Sequence, residues 1–357
     1  TIPSETLSLE EGISSPLDVV YTITPIYDGN EDCEGTPYTY TVTVNPLTGV
    51  SFIDDIVVCN GDFIDNIEFT STTQGGETTY EWVATGDDIG LDQTDDGSGL
   101  ISGFTADNLT SEPLITSITV TPTFTNGGVS SEGDPLTFTI TVNPTAQVDL
   151  VDSLDLCNGD TAVVDFTTSN GGVDSVTTYS WEITDGDSVF VGGASGEGNI
   201  NLPVINETNA DLVATVTVIP TYTNDGVDCT GPSEEFTITV SPTAQVAQVD
   251  DIVVCNGDEV AEIEFATTSE NDIAYSWSID AEIGTQSLTG VGNIPLFEAD
   301  NDTNDPIVAI VTVTPSNDET DPSLTCEGSS IEFTITVNPT AQVDSIDDVV
   351  LCNGEAS

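Results

Sequence analysis

The chain has 357 residues and a formal net charge of −63, because its 63 Asp and Glu residues are accompanied by no Lys, Arg or His. Such a charge excludes nucleic-acid binding through basic patches, and no apolar run reaches the roughly 20 residues of a membrane helix. We therefore predict neither a nucleic-acid partner nor a membrane span. Strong acidity is also typical of disordered chains, but β-branched segments and a tryptophan recur in register, which favours a folded chain.

One recurring segment organises the sequence: a strand, a proline-bearing junction, a second strand and an Asn-Gly turn. It reads FTITVSPTAQVAQVDDIVVCNGD at Phe236–Asp258 and returns, slightly changed, at Tyr40–Asp62, Phe138–Asp160 and Phe333–Glu355. The alternation of apolar residues and Thr in FTITV is typical of a half-buried strand. Proline ends that strand because it cannot donate a ladder hydrogen bond, and Asn-Gly predicts a tight turn.

The spacing of this segment divides the chain into repeats of 97 or 98 residues, a size that predicts domains rather than solenoid turns. We predict the C-terminal part of a repeat at 1–46 (repeat 1), whole repeats at 47–144, 145–242 and 243–339 (repeats 2, 3 and 4), and the first strand of a further repeat at 340–357. Since both ends fall inside a repeat, we expect the sequence to be a piece of a longer protein.

Repeat 2 carries the full strand pattern, after two strands predicted in repeat 1 at 19–25 and 38–46. Its predicted strands are Ile53–Cys59, Phe63–Thr70, Thr78–Ala84, a short one within Gly86–Gly103, Ile115–Pro122 and Leu136–Val142. No segment has the spacing and caps of a helix. About seven short strands with a tryptophan on the third predict an all-β chain of tandem Ig-like antiparallel β-sandwiches. The predicted core tryptophans are Trp82, Trp181 and Trp277.

These motifs together carry a resemblance to a known family. VCNGD near the start of a repeat, the third-strand Trp, VTVTP, TNGG or TNDG, a C-x-G loop and a closing FTITVNP resemble the PKD-like/Ig-like repeats of giant Bacteroidetes surface proteins, such as the SprB-like gliding-motility adhesins. The resemblance covers every repeat and implies export by the type IX secretion system and assembly into long surface filaments. It carries over no binding residue, because such repeats are shaft modules. Two departures are Ser131 in place of the C-x-G cysteine and the missing basic residues.

Seven cysteines occupy two positions of the repeat, an early one after the first strand and a late one before the closing strand. The early cysteines are Cys59, Cys157, Cys255 and Cys352, and the late ones are Cys33, Cys229 and Cys326. The sequence has neither the CxxC pair nor the His of a metal site, nor the base or cation that activates a thiol. We therefore predict structural disulfides formed in an oxidising compartment.

Three pairings of these cysteines are open. Pairing within a repeat gives Cys157–Cys229 and Cys255–Cys326, and pairing across a linker gives Cys33–Cys59, Cys229–Cys255 and Cys326–Cys352. A third arrangement joins the early cysteine of one repeat to the late cysteine of the next, as Cys59–Cys229 and Cys157–Cys326. We favour the third, because the two positions lie at opposite poles of a sandwich and those poles meet when sandwiches follow one another head to tail.

Two further sets of residues are candidate sites. Junction aspartates supply the oxygen ligands that calcium prefers, although they match no EF-hand loop and a solvated acidic surface is the favoured alternative. They are Asp54, Asp55, Asp250, Asp251, Asp347 and Asp348, and the loops at 92–96 and 185–187 add similar clusters. Three Asn-x-Thr triplets, at Asn108, Asn206 and Asn301, are candidate glycosylation sites, with an Asn/Thr turn ahead of a strand as the favoured alternative.

The predicted function is structural. The acidic residues recur in every repeat, whereas a catalytic carboxylate pair needs one location, and no cation is present to stabilise an anionic intermediate, so we predict no enzyme. We expect an extracellular shaft segment of a cell-surface adhesin, which holds a binding tip away from the cell and transmits force in adhesion or gliding.

The alternative is a repeated glycan- or calcium-binding module of an extracellular matrix or biofilm protein. No cofactor is required in either reading, and calcium is the one candidate. The predicted partners are neighbouring repeats of the same chain, together with a surface or glycan ligand bound outside this sequence.

Overall fold

The computed structural model describes residues 4–10, 12–29, 33–91, 96–186, 188–317 and 325–350. Regular structure in these residues consists of β-strands, and no described residue lies in a helix, which confirms the predicted all-β class. The chain forms two compact units, Thr1–Asp149 with Thr167–Tyr179 and Ile219–Ser233, and Leu150–Phe166 with Ser180–Val218 and Glu234–Ser357. This division passes through repeat 3, and the repeat bounds stay predictions from the sequence.

Repeat 1 contributes four strands. They are β1 (Leu17–Ile23), β2 (Ile26–Tyr27), β3 (Cys33–Glu34) and β4 (Tyr38–Val44). Strand β1 pairs with β4 in antiparallel register from Leu17↔Val44 to Ile23↔Tyr38, and β2 pairs with β3. The two long strands are the two that the sequence predicts for this segment.

Repeat 2 contributes eight strands in two sheets. They are β5 (Ile56–Cys59), β6 (Phe63–Ile64), β7 (Glu77–Gly86), β8 (Asp96–Ser98), β9 (Phe104–Thr105), β10 (Leu114–Asn126), β11 (Val129–Glu132) and β12 (Leu136–Asn143). The large sheet has the order β5-β12-β10-β7-β8 with β11 also paired to β10, and the small sheet pairs β6 with β9. Along β10 buried residues alternate with half-exposed ones, so one face of the large sheet covers the core.

Repeats 3 and 4 follow the same plan. The strands of repeat 3 are β13 (Leu154–Cys157), β14 (Thr161–Val164), β15 (Val176–Gly186), β16 (Ser195–Glu197), β17 (Ile200–Pro203), β18 (Leu212–Asn224), β19 (Val227–Thr230) and β20 (Glu234–Ser241). Those of repeat 4 are β21 (Ile252–Cys255), β22 (Glu259–Val260), β23 (Ile273–Ile279), β24 (Thr289–Val291), β25 (Phe297–Glu298), β26 (Ile307–Asn317) and β27 (Ile331–Asn338). In each whole repeat the large sheet and the two-stranded sheet enclose an apolar core, so the chain is a tandem series of β-sandwiches.

One pairing differs from the predicted antiparallel arrangement. The first strand of each whole repeat runs parallel to the closing strand, with Cys59 opposite Asn143, Cys157 opposite Ser241 and Cys255 opposite Asn338. Both strands therefore end at the same pole of the sandwich. The chain enters each repeat at one pole and leaves it at the opposite pole. The first strand and the closing strand therefore both run towards the pole of exit and are parallel.

Strand lengths and one hairpin also differ from the prediction. The single strand predicted at 63–70 is reduced to β6 and an isolated bridge between Ile67 and Ile101. The hairpin strands β11 and β19 are not among the predicted strands, because VSSE lacks the apolar alternation of a half-buried strand and VDCT shows it over only four residues. The described part of the predicted further repeat, 340–350, contains no strand.

Candidate functional site at the repeat junctions

The CNGD turn ends the first strand of each whole repeat at the pole where the repeat is left. In repeat 2 the Asp62 carboxylate accepts the backbone N–H of Cys59 at 2.9 Å, and the N–H of Asp62 reaches the Cys59 carbonyl at 3.1 Å. Gly61 has a φ of +87°, a conformation that favours glycine. The same side-chain contact recurs at Cys157 and Cys255. Local hydrogen bonds thus fix the early cysteine position.

A buried asparagine braces this turn against the closing strand. Asn108 is 2% exposed and donates its amide hydrogens to the carbonyls of Val142 and Glu112, at 2.7 and 2.9 Å. Its Oδ1 accepts the Thr110 backbone N–H and hydroxyl, and its own N–H donates to Asn60 Oδ1 of the CNGD turn. Every polar group of the Asn108 side chain is therefore hydrogen-bonded.

The same network forms around the other two Asn-x-Thr triplets, at Asn206 and Asn301. Asn108, Asn206 and Asn301 therefore lie in Asn/Thr turns that hold the pole together, which is the arrangement favoured from the sequence. Glycosylation of these residues stays a prediction.

The CNGD turn also holds the linker that leaves the repeat. Asn60 Nδ2 donates to the hydroxyl of Thr145 at 2.9 Å, and the equivalent pairs are Asn158 with Thr243 and Asn256 with Thr340. This hydrogen bond therefore fixes the direction in which the linker leaves each repeat.

The glycine of the C-x-G loop meets the incoming linker of its own repeat. A Cβ added at Gly231 would lie 1.8 Å from the Ala146 carbonyl oxygen. The equivalent distances are 1.9 Å from Gly133 to the Thr48 oxygen and 1.8 Å from Gly328 to the Ala244 oxygen. Only glycine permits this approach, so the C-x-G glycine is a packing requirement of the junction.

Asparagine side chains connect successive repeats. Asn143 at the end of β12 and Asn224 at the end of β18 are both buried, and Asn224 Nδ2 donates to Asn143 Oδ1 at 2.8 Å. Asn126 donates to Asn45 in the same way at the preceding junction, at 3.0 Å. At the following junction Asn317 donates to the Pro242 carbonyl, while its Oδ1 is buried with no partner in the described part of the chain.

Two disulfides join successive repeats, Cys59–Cys229 and Cys157–Cys326, which are the pairs of the third arrangement. Cys229 packs with Tyr222 and Ala146 in a small apolar cluster at the junction, and the Tyr222 hydroxyl donates to the Gly171 carbonyl at 2.8 Å. Burial raises the pKa of that phenol. Cys33 and Cys255 are exposed and unpaired among the described residues, and Cys352 lies outside those residues.

The three tryptophans lie in the cores of their repeats, with exposures of 1% for Trp82, 5% for Trp181 and 7% for Trp277. Each packs over a glycine on the neighbouring short strand, which leaves room for the indole. None of the three indole N–H groups has a hydrogen-bond partner in the described structure. The tryptophans therefore fill cores, at the cost of a desolvated donor.

Two of the junction aspartates, Asp55 and Asp251, bind backbone, and in the described residues no group of three or more acidic or cysteine side chains is arranged to hold an ion. Calcium binding at the junction aspartates stays a prediction. Asp55 accepts the Thr139 N–H at 2.6 Å and Asp251 accepts the Thr334 N–H at 2.7 Å, and these bonds lower the pKa of both carboxyls. Asp54 and Asp250 are exposed beside them, and Asp347 and Asp348 are exposed outside any strand. Parts of the loops at 92–96 and 185–187 lie outside the described residues.

Comparisons with known proteins add a partial family match. Residues 8–48 match the family model of a PKD-like domain. No curated protein matches the sequence. A search for helices long and apolar enough to cross a membrane finds none in the described part of the chain.

Solved structures with some similarity consist of tandem domains. Three titin Ig domains, I67–I69, match at a TM-score of 0.37 and 10% identity, covering 80% of this chain and 96% of theirs. Three N-terminal domains of the bacteriophage RB49 outer capsid protein Hoc match at 0.37 and 15%, covering 83% and 99%. Drosophila N-cadherin EC1-4 matches at 0.29 and 14%, covering 93% and 85%.

Proposed function

We propose that this chain is a segment of the shaft of a secreted, filamentous cell-surface adhesin, without catalytic activity, which holds a binding tip away from the cell and transmits force to it. The resemblance to SprB-like gliding-motility adhesins supports this proposal and extends it to export by the type IX secretion system. Disulfides support an oxidising, extracellular location. The observation that carries the proposal is the overlap of the two disulfides along the chain.

The overlap creates three covalent routes from Cys59 to Cys326. The first crosses to Cys229 and follows the backbone for 97 residues (326 − 229) to Cys326. The second follows the backbone for 98 residues (157 − 59) to Cys157 and then crosses to Cys326. The third crosses to Cys229, follows the backbone back for 72 residues (229 − 157) to Cys157 and crosses to Cys326. Because the third route is the shortest, it comes under tension first when an unfolded chain is stretched.

This arrangement limits extension. Residues 59–326 include 267 backbone steps (326 − 59), which at about 3.5 Å each extend to about 930 Å when reduced. With both disulfides intact the same segment reaches only about 250 Å, because the shortest route has 72 backbone steps (229 − 157). A shaft that transmits force gains from this limit, since overload does not release the full length of slack.

The overlap also protects continuity. A single break between Cys59 and Cys157 leaves the first route intact, and a break between Cys229 and Cys326 leaves the second intact. A break between Cys157 and Cys229 leaves both the first and the second route intact. An exposed filament therefore tolerates one proteolytic cut anywhere from Cys59 to Cys326 without parting.

A single-site cleavage experiment tests this continuity. A specific protease site is placed at the hairpin turn Gly127–Gly128 of the full chain, and the cleaved protein is compared on reducing and non-reducing gels. We expect full-length mass without reductant and two fragments with it. Separation without reductant would overturn the proposal, because pairing within repeats or across linkers predicts that result.

A matched variant supplies the control. In C59S/C229S, cleavage at Gly127–Gly128 should part the chain even without reductant, since Cys157–Cys326 does not span that turn. Cleavage of the same variant at the Asp225–Gly226 turn should leave it joined, because Cys157–Cys326 does span it. Pulling the uncut chain between its ends then tests the force-bearing role. Once the domains are unfolded, the stretched length should about double on reduction, because the disulfides shorten only the path between Cys59 and Cys326. Equal lengths in both states would contradict a shaft whose extension the disulfides limit.

A further inference from the structure

An asparagine that precedes glycine is prone to lose its side-chain ammonia, because glycine has no Cβ to crowd its backbone nitrogen. That nitrogen attacks the side-chain amide carbon of the asparagine. The described residues contain five Asn-Gly pairs, at Asn60, Asn126, Asn158, Asn170 and Asn256. Their hydrogen bonds decide which of the five is free to react.

Four of the five pairs are held at both reacting groups. Their glycine N–H groups donate to backbone carbonyls at 2.7–3.1 Å, and the donors are Gly61, Gly159, Gly171 and Gly257. In each of these pairs the asparagine side chain also uses both ends, since its oxygen accepts a backbone N–H and its nitrogen donates. Such a side chain reaches its glycine only after several hydrogen bonds have broken.

The pair at Asn126 is much less restrained. Asn126 ends β10, and Gly127 and Gly128 form the exposed turn to β11, with φ values of +60° and +77°. The Gly127 N–H has no hydrogen-bond partner in the described structure. The Asn126 side chain makes one described hydrogen bond, from Nδ2 to Asn45 Oδ1 at 3.0 Å. Asn126 is therefore the most reactive of the five asparagines in the folded chain.

The next two junctions do not share this turn. Asn224 and Asn317 hold the place of Asn126 in repeats 3 and 4, and each is followed in the sequence by an aspartate. A side chain on the attacking residue crowds its nitrogen and slows the reaction. The reactive pair therefore belongs to repeat 2, whose hairpin carries Ser131 in place of the late cysteine.

We propose that Asn126 is a site of spontaneous deamidation, which loosens the junction between repeats 1 and 2. The Gly127 nitrogen bonds to Asn126 Cγ, the Cγ–Nδ2 bond breaks, and ammonia leaves with the proton of the Gly127 nitrogen. Water then opens the cyclic imide at either carbonyl, which gives aspartate or isoaspartate. The reaction needs water alone, and the inference does not depend on the proposed shaft function.

Neither product keeps the junction hydrogen bond. A carboxylate at position 126 has no hydrogen to donate to Asn45 Oδ1, so two acceptors face each other. Asn45 presents its amide nitrogen instead only by turning that nitrogen away from the Val129 carbonyl, which it reaches at 3.4 Å. Isoaspartate also lengthens the backbone by one carbon at a turn whose register pairs Asn126 with Val129. The junction without a disulfide thus loses a hydrogen bond with either product.

Peptide mapping of the folded full chain tests the proposal. The protein is incubated at mildly alkaline pH and digested with a glutamate-specific protease, which releases Asn126 in the peptide 113–132. Tandem mass spectrometry then locates each converted asparagine. Asn126 should convert several-fold faster than the other four, whereas in urea all five should convert at similar rates, because each precedes glycine. A rate for Asn126 in the folded chain no higher than that of the other four would overturn the proposal.

Gly127→Asp is the matched variant, because Asp225 holds a φ of +49° at the same turn position in repeat 3. It should slow the conversion of Asn126 several-fold in the folded chain. Asn126→Asp makes one product directly and should lower the thermal unfolding midpoint. Asn209→Asp is its control, since it adds an equal charge at an exposed side chain without a described hydrogen bond. Unslowed conversion in G127D, or equal midpoints for N126D and N209D, would overturn the proposal.

Discussion

The junction between repeats 1 and 2 and the junction between repeats 2 and 3 are made from the same backbone and different side chains. Both pair an asparagine after the closing strand with an asparagine of the next hairpin, Asn45 with Asn126 and Asn143 with Asn224. At both junctions a linker carbonyl also lies against the glycine two residues after the late-cysteine position, Gly133 or Gly231. Only the second junction has a disulfide.

At the first junction Ser131 stands where Cys229 stands at the second, and Phe124 where Tyr222 stands. The Ser131 hydroxyl is buried without a partner in the described structure, so the position retains the burial of a cysteine. Since the asparagine pair forms with and without the disulfide, the hydrogen bonds and the glycine set the junction geometry. The disulfide adds a second covalent route to a junction that is already formed.

The largest expected effect comes from removing that disulfide. Cys59–Cys229 closes a loop with a sequence separation of 170 residues, for which chain entropy gives a stabilisation of about 5 kcal/mol. C59S/C229S should therefore lower the free energy of unfolding of repeats 2 and 3 by up to about this amount in urea titrations under oxidising conditions. The control is C33S/C255S, which removes two unpaired thiols. An equal loss in the control would contradict a specific role for the disulfide.

The next largest effect should be the same at both junctions. Gly231→Ala and Gly133→Ala each push a Cβ into a linker carbonyl, at 1.8 and 1.9 Å, and strain of this kind costs about 1–3 kcal/mol. Thermal unfolding of both variants measures it. Gly49→Ala is the matched control, because nothing lies within 4 Å of its added Cβ. A large loss in G231A with none in G133A would show that the disulfide, rather than the glycine, fixes the junction.

The asparagine pairs should respond unequally. Asn224→Ala leaves the buried Asn143 oxygen without its donor, which costs about 1–3 kcal/mol. Asn126→Ala should cost less, because Asn45 is only partly buried and water can replace the lost donor. Comparing the unfolding free energies of the two variants tests this difference. A larger loss from N126A would mean that the disulfide already supplies the stability at the second junction.

Much of this architecture could be predicted from the sequence because it repeats. Three copies of CNGD, FTITV and the strand Trp, at nearly equal spacing, indicate strands, turn and core position together. The favoured disulfide pairing followed from the poles on which the two cysteine positions lie. The junction asparagines could not be found in this way, because the contact between Asn143 and Asn224 spans 81 residues. Asn is also common in turns for local reasons, so an Asn in the NPT or TND segment does not by itself indicate a distant hydrogen-bond partner.

The smallest expected effect separates the strands that follow the two junctions. After the first junction Asp55 accepts the Thr139 N–H, whereas after the second Ser153 accepts the Thr237 hydroxyl instead. Hydrogen bonding to the carboxylate lowers the pKa of Asp55, so its stabilising contribution is complete above the ordinary Asp pKa of about 3.9 and is lost as the pH falls through the lower folded value.

The Thr139 amide resonance should therefore titrate with a midpoint below about 3.9, while the Thr237 amide shows no such step. Asp55→Asn should abolish the step, and Asp54→Asn, which removes an equal charge, should leave it. A midpoint at or above the ordinary Asp value would show that the Asp55–Thr139 bond does not hold repeat 2 in solution.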